Sequence, residues 1–224
     1  MKIITFLWAK HDVKPPSVVK YGAEHVNILQ AMLARHLRMS HELICITDMP
    51  AGVACRTLPL WDKFKSSGGC FNRLYMYHPD MRHFIGPRFA CIDLDVVLTG
   101  NVDHVFNREE PILIHEYRWK KPSPGQRYNG SLVMMDAGCH TEVYDKFDPR
   151  KSPRILARDR TRVGSDQAWV DYCLPDIPTL GERDGIYEAA TIGDKLPADA
   201  CMVFFSGRQD PSQRSHEWVR RHYY

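Results

Sequence analysis

Arg88-Phe89-Ala90-Cys91-Ile92-Asp93-Leu94-Asp95-Val96-Val97-Leu98 is the stretch on which the reading of this chain turns. Its apolar and β-branched residues predict a strand, interrupted by two acids one residue apart. In extended geometry alternate side chains share a face, so Asp93 and Asp95 are expected to project together, roughly 6.5–7 Å apart. Two carboxylates so placed repel each other. Buried without partners they would be costly, whereas a divalent cation with oxygen ligands removes that cost. The spacing alone fits equally two solvated acids where a strand leaves its sheet. Position favours a site, because ligands of open α/β sheets sit beyond the carboxyl ends of the strands, where this pair falls.

Working outward, further strands are predicted at Ile3–Trp8, Glu42–Thr47, Ile112–Glu116, Ser131–Asp136 and Met202–Ser206. Helical patterns lie between several of them. Val26, Leu29, Leu33 and Leu37 line one face of a helix over Tyr21–Leu37. A second is expected over Cys70–Tyr77 and a third from Ser165, whose hydroxyl suits an N-cap with Asp166 in the first turn. Strands alternating with helices predict an α/β, Rossmann-like domain with a mostly parallel central sheet flanked by helices. The first strands read as nearly continuous apolar runs, as expected when both sheet faces are covered. With no repeat and no low-complexity linker, residues 1–224 are read as one domain.

The 224 residues are 44% hydrophobic and 25% charged, which excludes a disordered or collagen-like chain. Thirty basic against 27 acidic side chains leave a net charge of only +3, too little for a wholesale nucleic-acid or membrane binder. The apolar start, Met1 to Trp8, is too short for a signal peptide and lacks a cleavage site, so a cytoplasmic protein is expected. Seven cysteines form no CxxC pair and read as reduced thiols in apolar runs. There is no GxGxxG, no P-loop, no GxSxG elbow and no HExxH, which removes the best-marked dinucleotide, phosphate, serine-hydrolase and zinc chemistries. Single histidines such as His25 and His36 on the first helix read as surface residues.

The segment Cys91–Asp103 is similar to the Asp-x-Asp region of nucleotide-sugar glycosyltransferases of the GT-A fold, closest to family 8, the glycogenin and lipopolysaccharide galactosyltransferase group. Four more segments resemble that family in the same order: Tyr21–Asn27, Asn72–Leu74, Tyr128–Asp136 with its Asn129-Gly130, and Gly164–Trp169 with its Asp166-Gln167. The resemblance implies that Asp93 and Asp95 hold Mn²⁺ or Mg²⁺ against a diphosphate, with Leu94 between them. It implies that Arg73 pairs with the donor, that Leu7, Trp8 and Ala9 flank the base, and that Asn129, Gly130, Ser131, Asp166 and Gln167 line the sugar pocket. Retention of anomeric configuration is implied as well. Breaking a glycosidic phosphate bond requires the leaving nucleotide diphosphate to be neutralised, which a metal and a guanidinium supply.

One segment departs from the pattern. The family ends in His-x-x-Gly-x-x-Lys-Pro, with a metal-binding histidine and a phosphate-binding lysine, where this chain has Phe204-Phe205-Ser206-Gly207-Arg208-Gln209-Asp210-Pro211. Ser206 or water is then expected to complete the coordination of the metal, with Gly207 at the cofactor and Arg208 gripping the diphosphate bidentately. The basic run Arg150, Lys151, Arg154, Arg158, Arg160 and Arg162 reads either as a solvated face or as a rim for an anionic acceptor or a peripheral membrane contact. It lacks the interleaved aromatics of a nucleic-acid site, so no nucleic-acid partner is expected. The expected activity is hexose transfer from a nucleotide-diphosphate sugar, a UDP-sugar in the first instance, to a glycan, lipid-linked or protein acceptor. The alternatives are an inactive nucleotide-sugar-binding protein of the same fold and, last, a nucleotidyltransferase, whose Gly-rich, lysine-bearing signature is missing.

Overall fold

A computed structural model describes residues 1–9, 21–61, 69–117, 127–158, 165–205 and 210–224. Seven strands form the main sheet: β1 (Lys2–Leu7), β2 (Glu42–Thr47), β3 (Arg56–Pro59), β4 (Arg88–Ile92), β6 (Ile112–Glu116), β7 (Tyr128–Asp136) and β8 (Thr179–Leu180). They lie in the order β3-β2-β1-β4-β7-β6-β8. β1 pairs in parallel with β2 and β4, and β2 with β3, while β7 runs antiparallel to both β4 and β6. The sheet is therefore mixed, with β7 reversed within a frame otherwise as expected. A smaller sheet, in the order β5-β10-β9, joins β5 (Val96–Leu98), β9 (Ile186–Glu188) and β10 (Met202–Phe204).

Side-chain alternation places one core on each face of the main sheet. Ile3, Leu7, Ala90 and Ile92 pack with the small sheet and with α1 (Ala23–His36), through Val26, Leu29, Met32 and Leu33. Ile4, Phe6, Phe89 and Cys91 face the opposite core, made by the 3₁₀ helix Gly69–Tyr77 and by α2 (Asp166–Cys173). Neither face of these strands meets water, which explains their unbroken apolar sequence. Ser165 caps α2 as expected, its hydroxyl accepting from the Ala168 N–H at 3.2 Å.

Two expectations are corrected. Residues 88–98 are two strands rather than one: β4 ends at Ile92, and Asp93-Leu94-Asp95 carries the chain from the large sheet to the small one. That crossing is tied at both ends, the Asp93 N–H donating to the Ser131 carbonyl at 2.9 Å and the Phe205 N–H to the Asp95 carbonyl at 2.8 Å. Residues 69–77 form a 3₁₀ helix, not an α-helix, so side chains three apart are eclipsed and Cys70 falls in line with Arg73.

Candidate functional site

The crossing of Asp93-Leu94-Asp95 floors a cleft of about 420 Å³ at the carboxyl ends of β1 and β4. Its apolar and aromatic lining comprises Leu7, Trp8, Ala9, Tyr21 and Met49, and Phe6 and Trp8 stand edge to face with ring centroids 6.5 Å apart. The Ala9 N–H donates to Asp48 Oδ1 at 2.9 Å, which fixes the turn after β1. The cleft also carries Cys70, Arg73, Asp93, Leu94 and Asp95. The two acids thus reach one cleft, as expected, through a bend rather than an extended strand.

Arg73 is buried, 7% exposed. Its Nε and Nη2 contact Asp166 Oδ2 at 2.8 and 2.7 Å, Nη1 holds the Asp93 carboxylate, and Nη1 also donates to the Gly130 carbonyl at 3.2 Å. One planar guanidinium so ties the crossing, the start of α2 and β7 together. Gly130 is required by close approach: a Cβ there would lie 2.8 Å from Arg73 Nη2. The Gly130 N–H donates to Gln167 Oε1 at 3.0 Å, which turns the Gln167 NH₂ outward as a donor.

Asn129-Gly130-Ser131 lies within β7, not in a turn. His115 pairs with Asn129 where the ladder from Ile114–Val133 would lead to Leu132, so Gly130, Ser131 and Leu132 bulge away from β6. Bulges of this kind re-aim side chains beside binding sites. Asn129 donates through Nδ2 to Glu188, and its Oδ1 accepts from the Ser131 N–H at 3.0 Å.

Asp95 Oδ1 is buried and has no hydrogen-bond partner among the described residues. Burial, with Asp93 alongside, pushes the Asp95 carboxyl well above the usual carboxylate range. The Tyr21 phenol is raised too, first by burial and then by Asp95 and Asp93, and stays protonated at neutral pH. No three His, Cys, Asp or Glu side chains among the described residues converge as a ready-made metal cage. The donor set nonetheless fits Mg²⁺ or Mn²⁺ of the kind that takes one or two carboxylates and completes its shell with substrate phosphate and water. The orphaned Asp95 oxygen is the atom such an ion would satisfy.

Phe204 is fully buried in β10 against His115, with centroids 5.2 Å apart. Asp210 caps the turn Pro211–Gln213, accepting from the Ser212 N–H at 2.8 Å, and its Oδ2 is 3.9 Å from His25 Nε2. His25 is not a surface residue: it is 6% exposed, and its Nδ1 accepts from the Gly22 N–H at 3.0 Å. Ser206, Gly207 and Arg208, and the basic residues Arg160 and Arg162, lie outside the described residues. Sequence reasoning did not select Tyr21, Met49 or Cys70 as cleft residues. The three-residue step from Cys70 to Arg73 was the one signal available, and it reads correctly only on a 3₁₀ helix.

This architecture, a mixed α/β sheet with an acid pair leaving its fourth strand toward a second small sheet, is the GT-A fold of nucleotide-sugar glycosyltransferases. Among solved structures the chain is similar to the galactosyltransferase LgtC in complex with donor and acceptor sugar analogues, with a TM-score of 0.64 and 9% sequence identity over 99% of this chain and 93% of that one. An active-site mutant of LgtC matches with a TM-score of 0.61 at the same identity and coverage. No protein-family model matches the chain. No curated protein matches it in sequence. No helix among the described residues is long and apolar enough to cross a membrane.

Proposed function

We propose that this protein is a metal-dependent glycosyltransferase that moves a hexose from a nucleotide-diphosphate sugar, a UDP-sugar in the first instance, to a glycan, lipid-linked or protein acceptor. The observation that carries the reading is the Asp93–Asp95 crossing at the floor of the cleft, with an unsatisfied Asp95 oxygen and an apolar, aromatic wall lining the same cleft. Trp8, Ala9 and Tyr21 offer a flat, apolar seat for a nucleobase. Mn²⁺ or Mg²⁺ held by Asp93 and Asp95 would neutralise the diphosphate as it leaves. Arg73 keeps Asp93 and Asp166 in fixed orientations, and its positive charge remains beside the departing anion. By resemblance to the family, Asn129, Asp166 and Gln167 would line the sugar pocket, Ser206 or water would complete the coordination of the metal, and Gly207 and Arg208 would contact the diphosphate. Retention of configuration is part of the proposal on the same ground.

Calorimetric titration of UDP-sugars with and without Mn²⁺, followed by a turnover assay, tests the reading. Mn²⁺-dependent binding with hydrolysis or transfer is expected; no binding of any nucleotide sugar in either condition overturns it. A buried phenylalanine at position 204 and an acid at position 210 favour a second reading, a nucleotide-sugar-binding protein without catalysis. Tight, metal-independent binding of UDP without turnover selects that one.

A further inference from the structure

Four buried polar side chains meet behind the bulge in β7. Glu188, at the end of β9 in the small sheet, is 6% exposed; Asn129, Ser131 and His115 are equally enclosed. Asn129 Nδ2 donates to Glu188 Oε1, and Asn129 Oδ1 receives the Ser131 N–H. His115 Nδ1 lies 3.1 Å from Ser131 Oγ and 3.8 Å from Glu188 Oε1. Both ends of the Asn129 amide are therefore engaged inside the protein. Gly130, between the two bonded residues, reaches the cleft floor through Gln167 and Arg73.

Gly130, Ser131 and Leu132 have no ladder partners on β6 among the described residues, so backbone pairing on that side does not hold them. The side-chain cluster does. We propose that Glu188 is a positioning residue: by holding Asn129 it fixes the bulge from the small sheet, and so sets where Gly130 meets Gln167 and Arg73. The turnover arm of the test rests on the proposed activity; the structural arm does not.

The test compares Glu188→Ala, Glu188→Gln, Asn129→Ala and the double alanine variant by amide hydrogen exchange. Glu188→Ala is expected to speed exchange of the Gly130 and Ser131 amides at least tenfold, with the β4 and α1 amides unchanged. Glu188→Gln keeps an acceptor for Asn129 and should restore protection to within about threefold. At Gly130, Asn129→Ala should match Glu188→Ala, and the double variant should be no worse than either, because both remove the Asn129–Glu188 contact; at Ser131, whose N–H also loses its acceptor, Asn129→Ala should exchange faster. With a UDP-sugar substrate, kcat should fall at least tenfold in Glu188→Ala while UDP affinity stays the same. Unchanged Gly130 exchange in Glu188→Ala, or additive effects at Gly130 in the double variant, overturns the proposal. If Glu188→Ala does not fold, unchanged Gly130 exchange in Asn129→Ala overturns it instead. A wild-type protein that turns over no nucleotide sugar defeats the proposed activity and leaves the exchange result to decide this inference.

Discussion

Replacing Arg73 by methionine removes the one cation that lines the cleft among the described residues while keeping side-chain bulk. Among those residues Asp166 is left with a side chain 5% exposed and no countercharge, and Asp93, 27% exposed, loses its ion pair. Breaking a buried pair by deleting one partner typically costs about 3–5 kcal/mol. Most of this falls on Asp166, since water can solvate part of Asp93. At ~2–4 °C of Tm per kcal/mol for a chain of this size, the variant should melt roughly 6–20 °C lower. Thermal unfolding followed by circular dichroism at pH 7.5, with chelator present, measures this. A second arm adds Mn²⁺: with the guanidinium gone both Asp93 oxygens are free, so the ion should raise the Tm of the variant by more than that of the wild type. A loss below about 3 °C in chelator would refute the buried three-way tie, and an equal Mn²⁺ gain in both proteins would refute the idea that Arg73 and the cation share Asp93.

Asp95→Asn takes away a charge whose oxygen has no partner among the described residues, so it should stabilise the metal-free protein, by about 1 kcal/mol, and abolish the Mn²⁺-induced rise in Tm; an undiminished rise counts against Asp95 as a ligand. Gly130→Ala places a Cβ 2.8 Å from Arg73 Nη2 and should cost about 1–3 kcal/mol, read as a lower urea midpoint; an unchanged midpoint would mean that the approach relaxes freely. His115 is held near pKa 4 by burial, below its unfolded value near 6.5. Its neutral form therefore supports folding above pH 6.5, and that support is lost as pH falls toward 4, by about 3 kcal/mol across the interval. Urea midpoints of the wild type should drop more between pH 7 and 5 than those of His115→Gln, and parallel pH profiles would show that His115 is not kept neutral.

What the sequence disclosed depended on whether the deciding force was local. β2 and β6 run over the residues their composition predicts, because a strand apolar on both faces has sharp polar ends. The same rule misreads residues 88–98: hydrophobic continuity reports burial, not sheet membership, so it cannot show a chain leaving one sheet for another at Asp93. Asn129-Gly130 carries turn chemistry, yet burial on both sides converts it into a bulge whose polar groups are met by Glu188 and Gln167. Nothing local marks Glu188, since Asn129 lies 59 residues away in sequence, and the burial of His25 beside Asp210 is as remote although its Nδ1 bonds the nearby Gly22. Arg73 shows the same limit. Its position in a short helix suggested a cation at a site, but only the meeting of Asp93, Asp166 and Gly130 makes it the tie of the cleft floor.

The charge arrangement explains why a chain with Phe204 and Asp210 at these positions can still keep an anion-binding cleft. Asp93, Asp95 and Asp166 face one guanidinium, which leaves a formal excess of two negative charges where a diphosphate, itself anionic, would have to lie. Burial and the neighbouring Asp93 charge raise the Asp95 carboxyl, the direction that this crowding of acids favours. A divalent cation relieves all of it, and in doing so converts the acid pair from a barrier to phosphate into its support. The Asp210 carboxylate is engaged by its own turn and lies near His25, and its charge also acts on Tyr21 in the cleft wall. In the proposed activity, selection of a cation would rest on the orphaned oxygen of Asp95, while Arg73 would hold Asp93 in register with it. Neither residue can take the other's part, because a guanidinium fixed to three protein acceptors cannot follow a ligand and a lone carboxylate cannot attract an anion unaided.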